Sequence, residues 1–453
     1  MKRAIVLSGG GARGSYEVGV WKALAEMGQE FDIVTGSSVG SLNGAIMAQG
    51  ELDTAYELWE SLDTSHVLDF EVEEQIDTVE GMLETLNQFA KEAFRSHGIS
   101  SAPLIRLLRE KINEEKIRAA KMRFGLVTFE VPAMKHHHLY IDEIPKGKLV
   151  DYLVASSSCF PAMQSHEFDG RMFIDGGYTD NIPVRLAVRG GAQEAVVVNL
   201  RAIGIVQKSY FKQVKMDLIE PRWDLGAMLV FDSNRARRNI TLGYQDCMKH
   251  FGRLDGGKYT FFKGEAKQNA PRIYAFIKSL FARLSIDVEG KIDRQMPNNL
   301  DSVNEYLAKY AVMRAVKKHW DKKVITDVDF VTAAAEAAGE ILEVTPMETY
   351  KFETFNLRVM NRIVRVVRLP YSELDFDISP ALSVKECIAN ITGAVTPIPP
   401  INRMMYIVSC LSDYEKLVTN KRLIAMLAFS MPTEFLAALY ILALGSFIST
   451  QNG

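Results

Sequence analysis

The first two hundred residues alternate short apolar runs with longer stretches of helical spacing. Helical spacing of apolar side chains is present at Tyr16–Met27 and Val39–Ala48. The short runs predict strands at Ala4–Leu7, Ile33–Thr35, Phe124–Phe129, Leu139–Ile141 and Ala195–Leu200. Strands separated by helices need crossover connections, so we expect an α/β fold with a mainly parallel sheet covered by helices on both faces.

The pattern changes in the second half of the chain, where strand patterns become rare. Long charged and periodic runs such as Leu300–Lys318 and Asp327–Leu342 predict a mostly α-helical region. We therefore predict one domain over residues 1–265 and a second, helical region over residues 266–453.

The apolar segment Leu423–Ile448 is the strongest candidate for membrane contact. Pro432 and Glu434 interrupt it and leave an apolar run of 14 residues, Phe435–Ile448. A helix that spans a membrane needs about 20 such residues, so this run predicts a buried helix. Peripheral contact with a membrane surface, anchored by the preceding Lys421-Arg422 pair, is the alternative.

Composition narrows the class of partner. The chain has 453 residues and a net charge of -3, which argues against a nucleic-acid partner.

Only four apolar residues follow the basic start, too few for a secretory signal, so we expect a cytoplasmic protein. Widely separated cysteines predict no disulfide framework and no zinc site. They are Cys159, Cys247, Cys387 and Cys410.

A G-x-S-x-G sequence, Gly36-Ser-Ser-Val-Gly40, lies between a predicted strand and a predicted helix. This is the setting of a nucleophile elbow with Ser38 at its centre. Glycine suits positions 36 and 40 because a side chain there would collide with the neighbouring strand or helix. The start of the following helix would stabilise negative charge that develops near the serine.

A glycine-rich loop, Gly9-Gly-Gly-Ala-Arg-Gly14, directly follows the first predicted strand. A dinucleotide site would need an acidic residue at the end of the second strand, whereas Glu30 and Asp32 precede that strand. No Gly-Lys-Ser/Thr follows, which argues against a phosphate-binding loop. Parallel strands would bring this loop to the edge of the sheet where Ser38 lies.

The backbone amides of such a loop can form an oxyanion hole. The candidates are Gly9, Gly10, Gly11, Ala12, Arg13 and Gly14. The Arg13 side chain has three possible roles: orienting the loop, meeting an anionic group, or lying in solvent at a helix start.

A turn signal at Asp169-Gly170 predicts a β-hairpin that places Asp175 at the end of the returning strand. Gly176 and Gly177 follow and permit a tight turn, although Asp-Gly-Gly is also an ordinary surface turn. Adjacent side chains on a strand point to opposite sides, so the three histidines His136–His138 make a poor metal site, and we expect a solvent-facing strand start instead. We expect no metal site there.

Together the glycine loop, the Ser38 elbow and Asp175-Gly-Gly177 resemble the patatin-like phospholipases in kind, order and placement. The resemblance covers roughly residues 1–250 and leaves the helical region unassigned. Supporting matches are Gly98–Leu104, Ala155–Pro161 and Asp180–Pro183.

The resemblance implies a hydrolase of phospholipid or lysophospholipid acyl esters that needs no cofactor or metal. Ser38 would be the nucleophile, Asp175 the base, and the glycine loop the oxyanion hole. His250 is the fallback third member of a triad. A lipid-binding or regulatory module with an idle site is the alternative function, and the misplaced acidic residues argue against a nucleotide-binding oxidoreductase.

Overall fold

The computed structural model describes residues 1–70, 87–88, 90–283, 300–320, 324–366, 382–413 and 420–451. The chain forms two compact units, Met1–Phe251 and Gly252–Gly453. The assignment of separate domains to residues 1–265 and 266–453 stays a prediction.

The first unit is built on an eight-stranded sheet. Its strands are β1 (Arg3–Leu7), β2 (Ile33–Ser37), β3 (Arg123–Val131), β4 (Lys135–Tyr140), β5 (His166–Phe168), β6 (Arg171–Asp175), β7 (Glu194–Val198) and β8 (Lys215–Ile219). Strands β3, β2, β1, β7 and β8 run parallel in that order. Strands β4 and β6 pair antiparallel with β3, and β5 pairs with β6. The predicted mainly parallel α/β sheet is confirmed.

Helices connect these strands. They are α1 (Ser15–Glu26), α2 (Val39–Gln49), α3 (Leu52–Ser61), α4 (Thr64–Val67), α5 (Ala102–Lys111), α6 (Glu114–Ala119), α7 (Leu149–Ser157), α8 (Gly177–Asp180), α9 (Val184–Arg189) and α10 (Ser233–His250). The predicted helices after β1 and β2 are α1 and α2. The predicted hairpin at Asp169-Gly170 is the β5–β6 turn, whereas no strand was predicted at β8.

Both faces of the sheet are buried. On β1, Ile5 and Leu7 belong to one hydrophobic cluster, and Ala4 and Val6 belong to another on the opposite face. All four side chains are fully buried. A parallel sheet requires helices on both faces, which explains why its strands are continuously apolar.

The second unit is mostly helical. Its short strands β9 (Thr260–Phe261) and β10 (Thr349–Tyr350) pair in parallel. Its helices are α11 (Glu265–Arg283), α12 (Leu300–His319), α13 (Asp327–Ile341), α14 (Phe352–Val366), α15 (Val384–Val395), α16 (Pro400–Ser412), α17 (Lys421–Ser430) and α18 (Pro432–Gln451). The helices predicted at Leu300–Lys318 and Asp327–Leu342 are α12 and α13.

A buried carboxylate ties together three segments of the second unit. Glu336, which is fully buried on α13, accepts hydrogen bonds from the amides of Gly257, Lys258 and Tyr259 at 2.6, 3.0 and 3.3 Å. The Nδ1 atom of His319 lies 3.2 Å from the same carboxylate. Four partners satisfy a charge that would otherwise be costly to bury.

The apolar segment near the C-terminus is buried within its own unit. Residues 435–440 of α18 are fully buried, and Glu434 pairs with Arg403 at 2.8 Å. Among the described helices, none alone has the length and apolar character to cross a membrane. The pair α17 and α18 passes that test together over Lys421–Ser430 and Pro432–Ser446, bent by 117°. Peripheral membrane contact and a cytoplasmic location stay predictions.

Candidate active site

Ser38 lies at the turn between β2 and α2 in a strained backbone conformation. Its φ of 52° and ψ of −131° are unusual for a residue with a side chain and cost about 1–3 kcal/mol. The Ser38 amide donates to Ser156 Oγ at 3.1 Å. Its carbonyl accepts from the amide and the hydroxyl of Ser41 at 2.8 and 2.6 Å. These bonds hold the turn in place.

The two elbow glycines are sterically required. A Cβ on Gly36 would lie 2.1 Å from the Gly40 carbonyl oxygen, and one on Gly40 would lie 2.4 Å from the Leu7 carbonyl oxygen. Both contacts are with backbone atoms, which cannot rotate away. The steric reason for glycine that we expected from the sequence therefore holds at both positions.

Asp175 ends β6 and lies against the elbow. Its Oδ1 accepts from the Gly177 amide at 2.6 Å, and the side chain is buried, with the residue 6% exposed. Burial raises the pKa of Asp175 to about 6, although hydrogen bonds from the Ser38 side chain and the Gly177 amide lower it. A carboxylate with a raised pKa is a stronger base than an ordinary aspartate. A Cβ on Gly176 would lie 2.2 Å from the Val127 carbonyl oxygen, so this turn also requires glycine.

The glycine loop faces Ser38, and its amides divide into two groups. The amides of Gly9, Ala12 and Arg13 already donate to the carbonyls of Asn181, Met228 and Gly10. In the described part of the chain, the amides of Gly10 and Gly11 have no protein acceptor. Both glycines line the same cavity as Ser38. Gly14 begins the turn into α1. The geometry thus narrows the predicted oxyanion hole from six residues to two.

Arg13 connects the glycine loop to later loops. Its Nε donates to the Gly226 carbonyl at 2.8 Å and its Nη1 to the Arg201 carbonyl at 3.3 Å. Of the three roles open from the sequence, orienting the loop is the one these bonds support.

Asn181 was not assigned a role from its sequence position, yet it lies at the centre of the site. Its carboxamide fills a space kept open by three glycines: a Cβ on Gly9, Gly177 or Gly204 would lie 2.3, 2.9 or 2.7 Å from Asn181 side-chain atoms. The same Cβ on Gly9 would lie 3.1 Å from Ser38 Cβ. Asn181 Nδ2 is buried and has no acceptor among the described residues. The only sequence signal for this residue was the Asp180–Pro183 match.

A cavity of about 570 Å³ opens beside Ser38 and Asp175. Ser38, Asp175 and Asn181 are among its polar lining residues, and most of its wall is apolar. The apolar lining includes Leu42, Ile46, Leu58, Trp59, Leu62, Leu104, Leu108, Met163, Leu229 and Phe231. Such a shape suits a hydrocarbon chain whose reactive end lies at Ser38.

The histidines have other partners. His250 Nε2 lies 3.1 Å from Asp217 Oδ1, and His250 is absent from the cavity wall. The prediction for His136–His138 is wrong in part. His136 is exposed, but His137 is buried with Nε2 2.6 Å from Glu130 Oε2, and His138 Nε2 lies 3.2 Å from Asp180 Oδ2. The ring of His137 is therefore buried, whereas His138, on the opposite face of the strand, is only partly buried.

The described residues contain no cluster of three or more histidine, cysteine or acidic side chains that could hold a metal ion. Asp32, considered above for a ribose, precedes β2 and accepts from the Arg3 amide at 2.8 Å. It therefore lies at the opposite end of β2 from the glycine loop.

The first part of this chain is similar to known proteins. Residues 5–188 match the family model described as "Patatin-like phospholipase". Patatin-like phospholipase domain-containing protein 7 of Rattus norvegicus is 25% identical over 266 residues, which cover 56% of this chain and 18% of the relative. Lysophospholipase NTE1 of Coccidioides immitis is 27% identical over 200 residues, which cover 44% and 11%.

Thus the match spans less than a fifth of the length of these two relatives. Among solved structures, VipD from Legionella pneumophila aligns with a TM-score of 0.36 and 14% identity, covering 96% of this chain and 91% of that one. The family match includes the glycine loop, the Ser38 elbow and Asp175-Gly-Gly177. Residues 5–188 of this chain therefore form a patatin-like phospholipase domain.

Proposed function

We propose that this protein is a serine hydrolase that cleaves acyl esters of phospholipids or lysophospholipids through a Ser38–Asp175 dyad. One observation carries the proposal: a strained serine lies beside a buried aspartate of raised pKa at one end of an apolar cavity. The match to the patatin-like phospholipase family and the similarity to the lysophospholipase of Coccidioides immitis support a lipid ester as substrate.

The reaction has two halves. Ser38 Oγ attacks the ester carbonyl while Asp175 takes the hydroxyl proton, and the amides of Gly10 and Gly11 stabilise the oxyanion. Collapse of the intermediate expels the alcohol, which receives the proton from Asp175, and leaves an acyl-serine. Asp175 then takes a proton from water, which attacks the acyl-serine; as the bond to Ser38 Oγ breaks and the fatty acid leaves, Asp175 returns this proton to Ser38 Oγ.

A carboxylate is a weak base for a hydroxyl, and the burial of Asp175 reduces this difficulty. Since its pKa is raised to about 6, the carboxylate is ionised at neutral pH but holds a proton more readily than an exposed aspartate. The Gly177 amide fixes one carboxylate oxygen. The dyad can therefore work without an intervening histidine.

The test is labelling with a fluorophosphonate, followed by release of fatty acid from lysophosphatidylcholine. We expect wild-type protein to be labelled and active, and both Ser38→Ala and Asp175→Asn to lose activity while staying folded. His250→Ala is the matched control, because His250 pairs with Asp217 outside the cavity. Normal turnover by Ser38→Ala would overturn the mechanism, and an inactive but folded His250→Ala would replace the dyad by a triad.

The same labelling separates catalysis from the alternative of a lipid-binding or regulatory module. A folded wild-type protein that binds lipid but is neither labelled nor active would favour that module. Three features support a hydrolase instead. They are the Ser38 elbow, the buried Asp175, and the amides of Gly10 and Gly11, which have no acceptor among the described residues.

A further inference from the structure

The mouth of the cavity is bordered by large apolar side chains that are exposed to water. Ile203 is 90% exposed and Ile205 is 54% exposed, and both belong to the cavity lining. Phe160 and Tyr178 are also exposed, and the Tyr178 hydroxyl donates to the Phe160 carbonyl. We call these four residues the rim. Exposing such side chains in a group is unfavourable in water and is typical of a contact surface.

Backbone hydrogen bonds hold the loop that carries Ile203 and Ile205 against the turn that follows Asp175. The Ile205 amide donates to the Gly177 carbonyl at 2.9 Å, and the Asn181 amide donates to the Ile205 carbonyl at 2.7 Å. Between the two isoleucines, Gly204 packs against Asn181, where a Cβ would lie 2.7 Å from its side chain. The loop therefore presents Ile203 and Ile205 outward while its backbone is fixed two residues from Asp175.

Three of the four rim residues, Tyr178, Ile203 and Ile205, also line the cavity, so the rim continues into its apolar wall. A hydrocarbon chain that enters past Ile203 and Ile205 meets apolar side chains along its path. Lys208 and Lys212, on the short helix Lys208–Gln213 that follows the rim loop, are exposed and have no ion pair in the described part of the chain. Exposed apolar side chains followed closely along the chain by exposed lysines suit the two layers of a phospholipid surface, its acyl region and its anionic headgroups.

We propose that the rim is the surface by which this protein docks onto aggregated phospholipid, so that its substrate enters from a bilayer or micelle. This inference rests on the proposed function and specifies the physical state of the substrate. It places the lipid contact at the cavity mouth in the first unit, whereas the sequence had suggested the C-terminal segment.

The test is co-sedimentation with vesicles of phosphatidylcholine and phosphatidylglycerol, performed in a Ser38→Ala background so that no lipid is consumed. We expect Ile203→Ser/Ile205→Ser to weaken binding by about tenfold or more. The conservative variant Ile203→Leu/Ile205→Val should bind like its parent. Thermal unfolding of each variant shows whether the fold is kept.

A matched control lies in the second unit, on α14. Leu357 and Val364 are 58% and 60% exposed, so Leu357→Ser/Val364→Ser removes a similar amount of exposed apolar surface. We expect this variant to bind vesicles normally. Loss of binding here, with binding kept by Ile203→Ser/Ile205→Ser, would overturn the proposal in favour of the helical unit.

Docking and catalysis can fail separately in these experiments. Wild-type protein that is labelled by fluorophosphonate, with vesicle binding unaffected by the serine variants at Ile203 and Ile205, would overturn the docking surface and leave the hydrolase. Rim-dependent vesicle binding without labelling would overturn the hydrolase and support the rim as a lipid-binding surface.

Discussion

Asp175→Asn should make the folded protein more stable at neutral pH while abolishing its activity. Burial raises the pKa of Asp175 from 3.8 to about 6, so the folded state disfavours the ionised carboxylate. A shift of about two units corresponds to about 3 kcal/mol of unfolding free energy at pH values above 6. The uncharged amide avoids this cost and still offers an oxygen to the Gly177 amide.

The difference in unfolding free energy between wild type and Asp175→Asn should depend on pH. Below pH 3.8 Asp175 is protonated in both the folded and unfolded states, so wild type and Asp175→Asn should differ little. As pH rises toward about 6, the unfolded carboxylate ionises before the folded one does, and wild type loses stability relative to the variant. The advantage of Asp175→Asn should therefore appear between pH 4 and 6 and remain constant above.

The assay is urea unfolding of both proteins between pH 4 and 8, followed by a signal from the first unit. Asp53→Asn, an exposed substitution on α3, is the control and should change stability by less than about 0.5 kcal/mol. A stability difference for Asp175→Asn that is absent at pH 8, or equal at pH 4 and pH 8, would refute the reasoning about burial.

Three further predictions concern charge. Because Asp175 must be ionised to accept a proton, kcat/KM should fall about tenfold per pH unit below about 6, as a pH–rate profile will show; a flat profile contradicts this. Asn181→Asp removes an unpartnered donor and adds a like charge, so activity should fall about tenfold or more and the profile should move to higher pH. Burial raises the pKa of Glu336, but His319 and the amides hold it below its usual value. Glu336→Gln should thus lower unfolding free energy by about 2 kcal/mol at pH 7 and by less near pH 4, measured by urea unfolding; an equal loss at both would contradict it.

The parts of the site that were predictable are those whose requirements are local. Gly36 and Gly40 each lie two positions from Ser38 in the sequence, and their steric role follows from the turn itself. The β5–β6 hairpin likewise follows from the Asp169-Gly170 turn, which fixes where Asp175 ends its strand. Local patterns therefore indicated the turns that carry Ser38 and Asp175 before any tertiary contact was known, whereas their roles as nucleophile and base were implied by the family resemblance and stay a proposal.

The unpredicted parts depend on segments that are distant in sequence. Among the described residues, the amides of Gly10 and Gly11 have no acceptor, whereas the neighbouring amides of Gly9 and Ala12 donate to the carbonyls of Asn181 and Met228. Strand β8 was missed because its residues pack beside β7 at the edge of the sheet and are only partly buried. The burial of His137 was not predicted because it depends on the register of β4 against β3, in which His136 pairs with Phe129.

Three features of the site that disfavour the folded state lie close together at one edge of the sheet. Ser38 is strained, Asp175 is buried with a raised pKa, and Asn181 Nδ2 has no acceptor in the described part of the chain. Each of these features disfavours the folded state by about 1–3 kcal/mol. In the proposed mechanism, a lipid ester in the cavity would supply a carbonyl carbon for Ser38 to attack and oxygen atoms near the amide donors, while the proton that Asp175 takes comes from the Ser38 hydroxyl. Substitutions that relieve one of these costs should therefore stabilise the protein at the expense of catalysis, as expected for Asp175→Asn.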